Sequence, residues 1–129
     1  MEFNANKAIY LQIAEYVCDH ILLATWKVDE KLPSVRELAV QMEVNPNTVM
    51  RTYDMLQQKE IIANKRGIGF FLTQESVKNV KVYRKAIFLE EDLPLFFRNI
   101  YLLEIGLDEL EQRYRRFVSQ NFNQKIGRA

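Results

Sequence analysis

Apolar residues recur at helical spacing near the start of the chain. Within residues 8–25, branched apolar residues follow one another at four-residue steps, at Ile9, Ile13, Val17 and Ile21. Side chains four residues apart lie on the same face of an α-helix. The pattern therefore predicts an amphipathic helix whose apolar face is buried.

Two further helix starts lie about a dozen residues apart. Ser34 followed by Glu37 forms a capping box, in which each residue pairs with the backbone N–H of the other. Asn45 followed by Pro46 marks the second start, because an Asn side chain accepts from a backbone N–H and proline lacks the N–H that the first helical position leaves unpaired. The helix that begins at Pro46 is predicted to end near residue 59. The two starts predict a helix-turn-helix.

A β-hairpin is predicted directly after these helices. The segment IIANKRGIGFFLT, residues 61–73, has two β-prone runs around a basic turn at Lys65, Arg66 and Gly67. A helix, a helix-turn-helix and a hairpin in this order are typical of a winged helix-turn-helix. The predicted fold is therefore mostly α with a small β-hairpin.

The C-terminal part of the chain is predicted to be a short all-helical tail. Asp92 and Asp108 are expected to begin two of its helices. Its aromatic residues exceed what three short helices can bury by themselves: Phe96, Phe97, Tyr101, Tyr114 and Phe117. We expect residues 1–74 to form one domain and residues 75–129 to form a homodimerisation tail. The alternative is that the tail packs back on the first helix.

Composition excludes several classes of protein. One cysteine, Cys18, and one histidine, His20, allow neither a disulfide framework nor a Cys/His zinc site within one chain. Both are interpreted as packing residues of the first helix. Neither a catalytic triad nor a phosphate-binding loop is evident, so we expect no cofactor and no enzyme activity. The sequence has neither a membrane-length apolar run nor a signal-peptide pattern, and we expect a cytoplasmic protein without a membrane partner.

Overall charge does not indicate a nucleic-acid partner. The chain carries 18 Lys/Arg against 17 Asp/Glu, and residues 1–74 carry 8 against 9. The electrostatic contribution to DNA binding must therefore come from the placement of individual basic residues.

Small polar residues open the second helix of the helix-turn-helix, as DNA recognition requires. Asn47 and Thr48 can donate to base edges or phosphates, and Arg51, one turn later, can reach either. The helix dipole and free N–H groups at this end are expected to favour a phosphate. Arg36 opens the neighbouring helix, and Lys65 and Arg66 lie in the hairpin turn, which in this fold converges on the same side.

Three segments of the chain together resemble the DNA-binding domain of the GntR family of bacterial transcription regulators. They are YLQIAEYV, KLPSVRELAVQMEVNPNTVMRTYDML and RGIGFF, within residues 8–72. The short tail is similar to that of the YtrA subfamily. The resemblance implies a homodimeric repressor that binds double-stranded operator DNA. It also adds Asn45, Met50 and Gly67 to the DNA-contacting residues. Many family members carry Arg at the positions of Pro46 and Met50.

Two alternatives stay open from the sequence. The winged helix could be a protein-interaction module that does not bind DNA, which the near-neutral charge permits. The chain could also be a regulator switched by a small effector bound between the tail and the DNA-binding domain, although no cluster of residues indicates such a ligand.

Overall fold

Six helices and one hairpin follow one another in residues 2–122, which a computed structural model describes. The elements, in chain order, are α1 Ile9–Leu22, α2 Val35–Met42, α3 Pro46–Gln58, β1 Ile62–Lys65, β2 Gly69–Leu72, α4 Ser76–Ile87, a π-helical segment Phe88–Asp92, α5 Leu93–Leu102 and α6 Leu107–Asn121. The order of helices and hairpin agrees with the winged helix-turn-helix prediction. The chain divides into two compact units after Ala86.

The core of the first unit forms where α1 and α2 pack against α3. Tyr53 is fully buried, and its hydroxyl donates to the Pro33 carbonyl at 2.7 Å. Thr52 is also fully buried, and its hydroxyl donates to the Tyr10 carbonyl at 2.7 Å. Burial raises the pKa of the Tyr53 hydroxyl, which therefore stays a neutral donor. The two bonds tie α3 to the segment before α2 and to the start of α1.

Local capping determines where α2 and α3 begin, as the sequence predicts. The Ser34 hydroxyl accepts from the Glu37 N–H at 3.0 Å, and the Glu37 carboxylate accepts from the Ser34 N–H at 2.8 Å. The Asn45 side chain caps α3, with Pro46 as its first residue. Glu43, at the end of α2, adopts left-handed angles (φ 57°, ψ 48°) that let the chain turn at once into α3.

The hairpin pairs antiparallel with the register Ile62 to Leu72 and Lys65 to Gly69. Strand β2 also contacts the segment before α2, because the Leu32 N–H donates to the Phe70 carbonyl at 2.8 Å. Gly69 has φ 142°, which other residues rarely adopt, and a Cβ there would force the end of the Lys31 side chain, 2.7 Å away, to move. The segment before α2 thus holds the hairpin at the turn end of β2.

The first unit extends further than the boundary at residue 74 expected from the sequence. Val80 of α4 is completely buried in the core of this unit, and the Arg84 guanidinium donates to the Asp19 carboxylate at 2.9 Å. Helix α4 therefore packs with the winged helix up to Ala86. The sequence pattern of α4 shows its apolar face but not the element that covers it.

The second unit, from Ile87 on, contains α5 and α6, and neither helix has a buried residue. The helix start expected at Asp92 and Pro94 agrees with the structure, in which α5 begins at Leu93, although Asp92 itself has helical angles (φ −87°, ψ −40°) because the π-helical segment continues directly into α5. The predicted capping role of Asp108 is wrong. Gly106 occupies the position before α6, so Asp108 lies within its first turn. Among the helices of residues 2–122, none is long and apolar enough to cross a membrane.

Candidate nucleic-acid interface

The start of α3 is open to solvent. Asn45, Asn47, Met50 and Arg51 are exposed, and Thr48 is half-buried. This half of the helix is therefore accessible to a partner, while Val49 and the following inward residues hold the helix to the core.

The backbone N–H groups in the first turn of α3 are all accounted for, which corrects the expectation of free donors there. Pro46 has no N–H, and the Asn47 N–H donates to Asn45 Oδ1 at 2.7 Å. The N–H groups of Thr48 and Val49 donate to the Asn45 carbonyl at 2.9 and 3.4 Å. Asn45 thus satisfies these N–H groups, and the free donors at this end of α3 are side chains.

Arg36 lies beside the start of α3. A shallow groove of about 350 Å³ is lined by Arg36, Ala39, Val40, Val44 and Pro46. The expected proximity of the first turn of α2 to the first turn of α3 is thereby confirmed. The groove combines one cation with an apolar floor, a surface that suits contact with the edge of a base pair.

Arg51 stacks on an aromatic ring of a different helix. Its guanidinium carbon lies 3.7 Å from the centre of the Tyr10 ring, at the start of α1. The sequence contains no signal that Tyr10 would meet Arg51, since the two residues are far apart along the chain.

The tip of the hairpin projects into solvent. Lys65, Arg66 and Gly67 are exposed, and Gly67 has φ 77° with no atom within 4 Å of the place a Cβ would take. The Lys65 ammonium lies 4.3 Å from the centre of the Phe71 ring, which supports it from the opposite strand. Strand β2 rests on α3, where the Phe70 and Tyr53 rings lie 4.8 Å apart.

The basic residues of the candidate site make no salt bridge within the described part of the chain. The salt bridges in residues 2–122 involve Lys7, Lys78, Arg84, Arg113 and Arg115. None involves Arg36, Arg51, Lys65 or Arg66. These four charges are therefore available to phosphates, although the net charge of the chain is only +1.

The acidic residue nearest to the start of α2 is already engaged. The hydrogen bond from the Ser34 backbone N–H and, to a smaller extent, the interaction with the Ser34 hydroxyl hold the pKa of the Glu37 carboxyl below its ordinary value. Glu37 thus serves as a cap and keeps its charge near the positive end of α2.

No cluster of three or more His, Cys, Asp or Glu side chains that could hold a metal ion occurs among residues 2–122. Cys18 is completely buried, and burial raises the pKa of its thiol to about 11. A thiol that stays protonated is a poor nucleophile, so Cys18 is a packing residue, in agreement with its interpretation from the sequence.

Known proteins share both the sequence and the fold. The family model "Bacterial regulatory proteins, gntR family" matches residues 9–72. The transcriptional repressor YtrA of Bacillus subtilis is 34% identical over 84% of this chain and 83% of its own length. The transcriptional regulator YhcF of the same organism is 40% identical over 58% of this chain, but the match spans only 62% of YhcF.

A solved structure shows the same fold over most of the chain. The crystal structure of a GntR-family transcriptional regulator from Bacteroides thetaiotaomicron is 47% identical and has a TM-score of 0.71 over 88% of this chain and 98% of that one. These relatives are regulators of transcription rather than enzymes. The exposed helix start, the hairpin and these matches lead to one conclusion: the chain belongs to the GntR family and is a DNA-binding transcription regulator of the YtrA type.

Proposed function

We propose that this protein binds an inverted-repeat operator as a homodimer and represses transcription. In this proposal α3 enters the major groove, and the hairpin tip at Lys65–Gly67 meets the backbone near the adjacent minor groove. Operator DNA lies in the cytoplasm of a bacterium, which is therefore the proposed compartment.

The observation that carries the proposal is the exposed first half of α3 with Arg36 beside it. Asn47 and Met50 are exposed and Thr48 is half-buried, and in this proposal they meet base edges. The Asn45 side chain oxygen is already used in the cap, which leaves its NH₂ group as donor. Arg36, with the apolar groove next to it, offers a second contact in the same groove of DNA. Small polar side chains at this end allow the backbone to come close to the duplex.

Dimerisation is proposed through α5 and α6. Large apolar side chains on these helices are exposed, with Tyr101 at 82% and Leu107 at 72%. The other strongly exposed ones are Leu95, Phe96, Phe97, Leu102, Leu103, Tyr114 and Phe117. A patch of this kind marks an association surface. An identical chain is the favoured partner, because a symmetric pair presents two α3 helices to the two halves of an inverted repeat.

Repression is supported by similarity to YtrA of Bacillus subtilis, which is named a transcriptional repressor and matches this chain over most of both lengths. A dimer that occupies an operator overlapping a promoter excludes RNA polymerase from it. The sign of regulation therefore depends on where the operator lies.

The first experiment is enrichment of bound fragments from a pool of random double-stranded DNA with the full-length chain. We expect an inverted repeat whose half-sites are centred about one helical turn, roughly 10 base pairs, or a multiple of it apart. A pool that shows no enrichment would instead favour a winged helix that binds protein. An enriched site without internal symmetry would contradict the dimer.

The second experiment removes the unpaired arginines one at a time. We expect about tenfold weaker binding to the enriched duplex for each of Arg36→Ala, Arg51→Ala and Arg66→Ala. Where the arginine contacts a phosphate, the slope of log affinity against log salt concentration should also become smaller by about one. Arg115→Ala removes the same charge from α6, where Arg115 pairs with Glu111. Equal losses in this control would mean that overall charge, not this surface, determines binding.

A further inference from the structure

Arg51 is held by a ring that belongs to another helix. Its guanidinium carbon lies over the Tyr10 ring, 3.7 Å from the ring centre, and Arg51 makes no salt bridge within residues 2–122. Stacking covers one face of the guanidinium and leaves the N–H groups at its edge free to donate. The guanidinium of Arg51 is thus held in place by Tyr10 while its charge has no acidic partner within residues 2–122.

The ring itself is anchored by buried hydrogen bonds. Thr52, the residue after Arg51, is completely buried and donates to the backbone carbonyl of Tyr10 at 2.7 Å. Gln12 is also buried, and its side chain donates to the carbonyls of Asn4 and Lys7 at 2.6 and 2.8 Å. The Thr52 bond holds the start of α1 against α3, and the Gln12 bonds hold the preceding segment to α1, so the backbone that carries the Tyr10 ring is anchored beside Arg51.

The location of the pair indicates which part of DNA Arg51 meets. Tyr10 lies on α1, so stacking draws the guanidinium from the exposed face of α3 toward its flank. If α3 lies in the major groove, phosphates run along the rim of that groove while bases form its floor. A guanidinium fork held at the flank fits two oxygens of a phosphate.

We infer that Tyr10 is a positioning residue which holds Arg51 as a clamp for a backbone phosphate of the operator. The inference rests on the proposed function, since it needs α3 in the major groove. Restricting a long side chain before binding lowers the conformational entropy lost when the contact forms. Tyr10 therefore contributes to DNA affinity through Arg51 and not through the choice of base.

The test compares DNA binding by Tyr10→Leu, Tyr10→Phe, Arg51→Ala and the Tyr10→Leu/Arg51→Ala double variant. The probes are the random double-stranded pool and the fragments enriched from it by the wild-type chain. Arg51→Ala should lower affinity by about tenfold on both probes. Tyr10→Leu should lower it about three- to fivefold, and Tyr10→Phe, which keeps the ring, should change it less than about twofold.

The double variant separates positioning from an independent effect. It should bind like Arg51→Ala alone, because the ring has no function once the guanidinium is gone. Losses that multiply would overturn the inference. A loss in Tyr10→Phe equal to that in Tyr10→Leu would also overturn it, since the hydroxyl and not the ring would then contact DNA.

Helix α3 offers a matched control at its other end. The Lys59 ammonium lies 4.8 Å from the centre of the Tyr83 ring, so Lys59→Ala removes a second cation of the same helix that rests on a tyrosine. Lys59→Ala should leave both affinities unchanged. A loss as large as that of Arg51→Ala would show that charge alone matters and would overturn the inference.

Two further readouts keep the inference falsifiable. Enrichment repeated with Tyr10→Leu and Arg51→Ala should recover the wild-type sequence, and a changed base at one position would overturn the assignment to a phosphate. In the free protein, the NMR signals of the Arg51 side chain should be shifted upfield by the ring, whatever the stability of the variants. Ordinary shifts in the wild type would overturn the stacking on which the inference depends.

The outcomes also distinguish this inference from the proposed function. If the wild-type chain binds neither probe, both the proposed function and the inference about Tyr10 are wrong. If Tyr10→Leu binds DNA like the wild type while Arg51→Ala binds more weakly, the inference about Tyr10 is wrong and the proposed function as a DNA-binding regulator still holds.

Discussion

The two units of this chain differ in where their large apolar side chains lie. In the first unit, the apolar residues of α1, α2 and α3 meet in a closed core, with Ile13, Leu38, Tyr53 and Leu56 completely buried. In the second unit, α5 and α6 have no buried residue, although α5 is rich in leucine and aromatic side chains. The first unit buries many of its apolar side chains, whereas α5 and α6 bury none of theirs.

This difference indicates that the two units have different roles. A unit with a closed core can fold by itself and keep a rigid DNA-binding surface, whereas two helices with an open apolar face need a cover to be stable. In the proposed dimer, association supplies that cover and doubles the number of DNA contacts. The following predictions test the comparison, from the largest expected effect to the smallest.

Removing the second unit should have the largest effect. A chain ending at Ile87 should remain folded and become monomeric, and its affinity for the enriched duplex should fall by about 10²- to 10⁴-fold because the second half-site is no longer held nearby. Sedimentation gives the mass, and a binding titration gives the affinity. A shortened chain that still sediments as a dimer would place the association surface in the first unit.

Helix α4 offers a matched pair for testing how far the first core extends. Val80 is completely buried, whereas Val82 on the same helix is 64% exposed. Val80→Ala should lower the free energy of unfolding by about 1–3 kcal/mol, and Val82→Ala by less than about 0.5 kcal/mol. Urea denaturation of the chain ending at Ile87 measures both without the dimer equilibrium. Equal effects would separate α4 from the core.

The exposed face of the second unit can be tested at its most exposed aromatic residue. Tyr101→Ser should weaken dimerisation by about tenfold if Tyr101 lies in the interface, since buried aromatic anchors often contribute more than 1 kcal/mol. Val40→Ser is the control, because Val40 is an exposed apolar residue of the first unit. Sedimentation without DNA compares the two. If Val40→Ser weakened association equally, the contrast between the units would fail.

The smallest effect concerns the cap of α2. The pKa of Glu37 is lowered in the folded protein, so its charge stabilises the fold at pH above the ordinary value of 4.5, and this contribution is lost as the pH falls through the lowered pKa. The melting temperature of Glu37→Gln should therefore lie below that of the wild type at pH 7 and approach it at low pH. Asp54→Asn, at an exposed position of α3, is the control. The same pH dependence in both variants would contradict a specific role of the cap.

Elements defined by neighbouring residues were predicted well. The Ser34–Glu37 capping box, the start of α3 at Pro46 and the hairpin each depend on contacts within a few residues, and the structure confirms them. Lys65 is the exception, since it pairs with Gly69 as the last residue of β1 and the turn occupies residues 66–68. The same kind of local signal gave a wrong capping role for Asp108, because the preceding Gly106 holds the position before α6.

The candidate site was predicted in part. Exposure of the start of α3 and the proximity of Arg36 follow from the helix-turn-helix pattern. The expectation of free N–H groups at this helix start was wrong even though Asn45 was recognised as the cap, since the cap itself satisfies those groups. Contact of the predicted residues with DNA stays a prediction.

The sequence by itself determined the order of the elements, the points at which helices begin and the family to which the chain belongs. Periodicity, capping and turn residues act over a few positions and can be recognised without knowing the fold. Only the tertiary structure decided that α4 belongs to the core through Val80, that Tyr10 supports Arg51, and that α5 and α6 leave their apolar faces open. These features join residues distant in the chain, and which of them meet depends on how whole elements pack.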